Sequence, residues 1–218
     1  MDKPHERYSE HQSFRTGNGQ VPPKPNFTNQ VNKEFKSVNN ANEDKGAVTA
    51  YKQDNEKLKL VAYASKAAFQ VESSITKDGH KTVTLESAHK NDPNNPNIKS
   101  FNWSKKCKFQ ITLEEIPLFI AVLLGLTSAV RFDNHGDDNK YLEITNQGGK
   151  FFFKMGGRTG LYVAPVPVVL AYQFGTLGLN EYVKNFPSLN SETALLSIRL
   201  MIKQMSENGL IKLPTGNQ

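Results

Sequence analysis

The chain has 218 residues, 37% of them hydrophobic, and a mean hydropathy of -0.54; that is enough for one large domain and too polar for every segment to be packed. A formal charge of +6 and a pI of about 9.2 favour an anionic partner, while the single cysteine, Cys107, excludes an internal disulfide and a four-cysteine zinc site. The longest apolar run, Ile116 to Leu126, is about half the ~18–20 residues of a membrane span, so no membrane partner is expected.

The N-terminus shows no apolar signal core, and Asp2, Glu6 and Glu10 are out of place in an acid-poor transit peptide, so a bacterial-type cytoplasmic setting is expected. Residues 1–57 are rich in Asn, Gln, Ser, Lys and Pro and follow neither the helical nor the strand period. They read as a disordered or extended arm whose isolated aromatics, Tyr8, Phe14, Phe27 and Phe35, are free to dock on a neighbour. The positive charge is concentrated after it. Residues 58–110 hold nine Lys/Arg against four Asp/Glu, whereas the segments before and after are close to balance.

From Leu58 the pattern changes. "KLKLVAYASKAAFQVES" predicts one long extended stretch, and "KTVTLESAHK" predicts its hairpin partner across a Lys-Asp-Gly-His turn. "WSKKCKFQI" alternates, which puts Trp103, Cys107, Phe109 and Ile111 on one face and Lys106 and Lys108 on the other. A helix follows in "TLEEIPLFIAVLLG", with Thr112 and Glu115 at capping-box spacing, Pro117 in the first turn and Gly125 as the stop. Four short strands are predicted at "AVRFD", "KYLEIT", "GKFFFKM" and "LYVAPV", then a second helix starting near Pro167. A third helix, from about Ser191 to Glu207, carries Leu195, Ile198, Ile202 and Met205 on one face.

Several of these pieces, in this order, resemble the Whirly family of single-stranded DNA-binding proteins. "YASKAAFQVES" is similar to that family's first-strand signature, with Ser65, Lys66, Ala67, Ala68 and Phe69 in place and Ala64 where a first lysine is usual. "FNWSKKCKFQITLEEIPLFIAVLLG" resembles its strand-into-helix segment, and "SAVRFDNHGDDNKYLEI" and "LYVAPVPVVLAYQF" follow in the family's order. The likeness covers roughly Leu58 to Tyr182. It implies an α+β fold of two antiparallel four-stranded sheets packed against two helices, to which a C-terminal helix is added here. It also implies a homo-oligomer, a tetramer joined through a helical core, with single strands running across the sheets. Trypanosome mitochondrial guide-RNA-binding proteins look alike in layout, so DNA and RNA both stay open. The expected organisation is therefore an arm at 1–57, a nucleic-acid-binding domain at 58–187, and an amphipathic helix and tail at 188–218.

Binding unpaired nucleotides without reading their sequence needs cations spaced along phosphates and aromatic faces on which bases stack. Alternation in "GGKFFFKMG" sends Phe151, Phe153 and Met155 inward and leaves Phe152 between Lys150 and Lys154 on the open side. The competing reading covers Phe152 with another subunit or with the arm. Lys106 and Lys108 lie about 7 Å apart on one strand face, near the phosphate spacing of an extended strand; solubilising edge charges are the alternative. The resemblance adds Lys66 and Phe69, and Arg158 in "GGRTG" is within reach of a phosphate or belongs to a plain turn. Lys106, Lys108, Lys150 and Phe152 are expected to share one water-facing surface.

No catalytic constellation is legible. "DNHGDDN" lacks the spacing of a calcium loop, "GGRTG" is neither a nucleotide loop nor a dinucleotide fingerprint, and no nucleophile meets a base. A non-enzyme without metal or cofactor is expected, coating or protecting single-stranded DNA. An oligomeric scaffold and an RNA-annealing factor are the alternatives.

Overall fold

The computed structural model describes residues 58–214 apart from 137 and 159, so the expected arm lies outside the described residues. Among the described residues, eight strands form two four-stranded antiparallel sheets in simple meander order. The first holds β1 (Lys59–Tyr63), β2 (Ala67–Ile75), β3 (Lys81–His89) and β4 (Cys107–Gln110). The second holds β5 (Ala129–His135), β6 (Lys140–Asn146), β7 (Lys150–Gly157) and β8 (Gly160–Pro167). Helix α1 (Ile116–Leu123) joins the sheets, and α2 (Val168–Val183) and α3 (Ser191–Glu207) follow β8. The α+β layout anticipated from the sequence is the one found.

Alternation explains the core. Phe69 and Val71 of β2, Val83 and Leu85 of β3, and Phe109 of β4 are buried together with Leu142, Ile144, Phe151, Phe153 and Met155 of the second sheet. The helices close the same core through Phe119, Ile120, Phe174, Ile198 and Ile202. Gly175 and Gly178 let α2 approach α1 closely; a Cβ at Gly178 would lie 3.3 Å from the Phe119 ring.

The start and stop of α1 follow their sequence signals. The Thr112 amide donates to Glu115 Oε2 at 3.0 Å and the Glu115 amide to Thr112 Oγ1 at 3.3 Å, a reciprocal capping box, and Pro117 sits in the first turn. At the other end Gly125 takes φ 74°, with its amide on the Val122 carbonyl and the Leu126 amide on the Ala121 carbonyl. That pair of bonds is a Schellman stop, which a side chain at Gly125 would strain.

Two expectations fail. "KLKLVAYASKAAFQVES" is a hairpin, not one stretch: the chain turns at Ala64–Lys66, where the Ala64 amide donates to the Ala67 carbonyl at 3.0 Å. The strand expected from Trp103 begins only at Cys107, because Trp103–Lys105 form a 3-10 turn and leave Trp103 half-buried instead of in the core.

Candidate nucleic-acid interface

Each sheet turns one face to the core and the other outward. On the outer face of the second sheet, register places Arg131, Glu143, Lys154 and Val163 in one row across the four strands. The next row holds Thr145, Phe152 and Pro165, and Lys150 stands opposite Pro167 beyond it. Phe151, Phe153 and Met155 are buried, Lys150 is exposed, and Phe152 and Lys154 are half-buried, as alternation in β7 requires.

Tyr141 extends this face on β6. Its cross-strand partner is Gly156, and a Cβ at that glycine would lie 2.3 Å from the Tyr141 ring, so the ring packs against bare backbone. The Arg131 guanidinium lies 4.2 Å from the ring centroid and Lys154 Nζ 5.7 Å. Glu143 stands between the two cations, 2.9 Å from Arg131 Nη1 and 3.7 Å from Lys154 Nζ. Hydrogen bonding to Asp133, aided by Glu143, pushes the Arg131 pKa up further and fixes its charge. Among the described residues, Lys150 has no carboxylate in ion-pair range, so it is the cation of this face best placed to meet a phosphate.

The outer face of the first sheet is more polar. Lys108 stands opposite Glu86, and Lys106, just ahead of β4, reaches the same carboxylate at 2.7 Å. Glu86 is buried and also accepts a long bond, 3.4 Å, from Gln70. Lys66 is exposed in the β1–β2 turn, its carbonyl accepting from the Lys90 amide. Beside it the rings of Tyr63 and Phe101 meet at 5.3 Å between centroids.

The predicted residues thus divide between two surfaces. Lys150, Phe152 and Lys154 share the second sheet's outer face, whereas Lys66, Lys106 and Lys108 belong to the first sheet, so the single shared surface expected from the sequence is replaced by two. Arg158, in the β7–β8 turn, pairs with Asp138 at 3.1 Å. Phe69 is corrected outright: it is fully buried and packs edge-on against Phe153 at 5.5 Å, because Ala67, Phe69 and Val71 form the inward half of β2. Tyr141 and Arg131 were missed, although alternation in "KYLEIT" already sets Tyr141 and Glu143 on one face. The Tyr63–Phe101 contact has no local signal, since it depends on pairing between distant segments.

The histidine of the acidic loop has a structural task. His135 Nε2 lies 2.6 Å from Glu115 Oε1, and its ring stacks on Phe109 at 3.9 Å, tying β5 to the start of α1. Cys107 is buried, and no metal-holding cluster occurs among the described residues. No helix among them is long and apolar enough to cross a membrane.

The fold and its outer faces define an α+β protein of two antiparallel meander sheets carrying aromatic and cationic side chains outward. No protein-family model matches the sequence, and no curated protein does. Among solved structures the chain is similar to the plant transcriptional regulator PBF-2, at 21% identity and a TM-score of 0.43, over 65% of this chain and 94% of that one. It is also similar to WHY1 from Arabidopsis thaliana, at 17% identity and a TM-score of 0.44, over 62% of this chain and 97% of that one.

Proposed function

We propose that this protein binds single-stranded nucleic acid, DNA in the first place, with little preference for sequence, and that it coats or protects strands as a homo-oligomer. The observation that carries this reading is the outer face of β7, where Phe152 stands half-exposed between Lys150 and Lys154. A base laid on that ring has a cation two residues to either side for its phosphates. Stacking and phosphate charge are sequence-tolerant, since every base has a π face, and these are the two interactions that the face offers. The role is binding, not catalysis: His135 is committed to Glu115 and Phe109, and Cys107 is buried in β4.

Oligomer formation has its own support. Val169 and Tyr172 on α2 and Leu196 and Leu200 on α3 are large apolar side chains left exposed on the helices. A tetramer joined through a helical core is the assembly that the sequence resemblance implies. The same surface supports the competing reading, a scaffold that binds only protein.

Titration of a labelled oligothymidine into the full chain separates the two, with matched RNA and duplex DNA as competitors. Saturable binding, with duplex competing poorly, is the expected result; no binding at low salt favours the scaffold.

A further inference from the structure

The first sheet carries an aromatic feature that the proposed interface on β7 does not use. Tyr63 on β1 and Ala68 on β2 are cross-strand partners, Ala68 pairs in turn with Ala88 on β3, and Lys90 just beyond β3 bridges to Phe101. Tyr63 and Phe101 therefore start from opposite flanks of the β2–β3 pair. Their rings still meet at 5.3 Å, tilted by 38°, which requires both to lean inward over the strip between them. That strip is Ala68 and Ala88, both fully buried on the outer side of the sheet. Two methyl-sized side chains leave room for rings to lie across the sheet, where longer ones would hold them apart.

Tyr63 keeps 41% of its surface exposed, so the pair is not a closed core contact. A cation stands beside it. Lys66 is exposed in the turn that follows β1, whereas Lys106, beyond Ala88 on the β4 side, is paired with Glu86 at 2.7 Å and Lys90 Nζ donates to the Asn95 carbonyl at 2.9 Å. This is the region that holds the chain's excess of positive charge.

We propose that Tyr63 and Phe101 form a second stacking platform for unpaired nucleobases, separate from Phe152, with Lys66 meeting the phosphate beside it. The inference rests on the proposed function and adds to it a distinct seat on the other sheet. Each subunit then contacts a strand at two places, which lengthens the stretch it covers.

Trp103 makes the seat separately observable. It is the only tryptophan of the chain, half-buried in the turn directly after Phe101, and its amide donates to the Phe101 carbonyl at 3.0 Å. Its fluorescence reports on the turn that carries Phe101. The experiment titrates oligothymidine into the full-length protein while following both Trp103 emission and the anisotropy of a label on the oligonucleotide. Tyr63→Leu and Phe101→Leu remove the π faces but keep apolar cover over the alanines, and thermal unfolding checks that both variants fold. The expected result is a change in Trp103 emission on binding, and an affinity lowered about 5- to 150-fold by either variant. Phe152→Ala should weaken binding yet preserve the Trp103 response at saturation. If the parent binds and Phe152→Ala weakens it while the Tyr63 and Phe101 variants bind like the parent, the platform is overturned and the function stands. If the folded parent binds no oligothymidine even at low salt, both fall together.

Discussion

Lys106 Nζ lies 2.7 Å from Glu86 Oε2, and Glu86 is 4% exposed at its side chain while Lys106 is 41% exposed. A lysine that the sequence offers to phosphate is thus held by a buried carboxylate on the same face. Removing the carboxylate frees the ammonium. Glu86→Gln should tighten binding to single strands and steepen the salt dependence by about one counterion, read as the slope of log K against log salt. The converse change exposes the carboxylate's dependence on its partner. Lys106→Ala leaves Glu86 with only the 3.4 Å bond from Gln70, and should lower stability by about 1–3 kcal/mol in a denaturant titration, whereas Lys108→Ala should change it little.

Phe152 is placed to be energetically useful to a ligand and of small consequence to the fold. Phe152→Ala should weaken oligothymidine binding by about 1–3 kcal/mol with little change in unfolding temperature. Phe153→Ala, one residue away and fully buried, should do the opposite, costing about 3–5 kcal/mol of stability. A Phe152 variant that unfolds early but binds normally would mark that ring as a packing residue.

Gly156 holds Tyr141 in place by having no side chain. In Gly156→Ala the new methyl group would displace the ring and with it the Arg131 contact at 4.2 Å. A loss of stability of about 1–3 kcal/mol is expected, from crowding.

Acid should act on the start of α1. The Glu114 carboxyl is held below its ordinary pKa by a backbone hydrogen bond first and by the Thr112 hydroxyl second. Because the folded value is the lower one, its stabilisation is fully present above the unfolded pKa and disappears as pH falls through the folded value. Glu114→Gln should therefore be slightly less stable than the parent at neutral pH, and the two thermal unfolding curves should converge in acid as pH falls through the folded value.

What the sequence disclosed depended on how much each element differed between its two sides. In β7 the inward residues are Phe151, Phe153 and Met155 and the outward ones include two lysines, so alternation alone fixed the phase. Helix α3 was equally plain, because Leu195, Ile198, Ile202 and Met205 recur at spacings of three and four, and Ile198 and Ile202 are buried. The β1–β2 turn was hidden since Ala64, Ser65 and Lys66 include no glycine, proline or asparagine and offer only a serine, a weaker turn signal; the pairing of β1 with β2 reveals it. Trp103 was misplaced by extending the β4 alternation through a 3-10 turn with no local marker. Phe69 was assigned outward by resemblance, although its spacing with Ala67 and Val71 put it inward. The ion pairs that engage Lys106, Lys154 and Arg158 join residues at least 11 positions apart, beyond any local pattern.

The central claim is that unpaired nucleic acid binds these sheets through phosphate charge and base stacking. Its most direct test is the affinity of the full chain for oligothymidine across a salt series from about 50 to 200 mM, where neutralising several phosphates predicts a steep linear fall of log K with log salt. A measurable affinity at the low end that declines in this way supports the account. No binding at the low end, or binding that salt leaves unchanged, would contradict it.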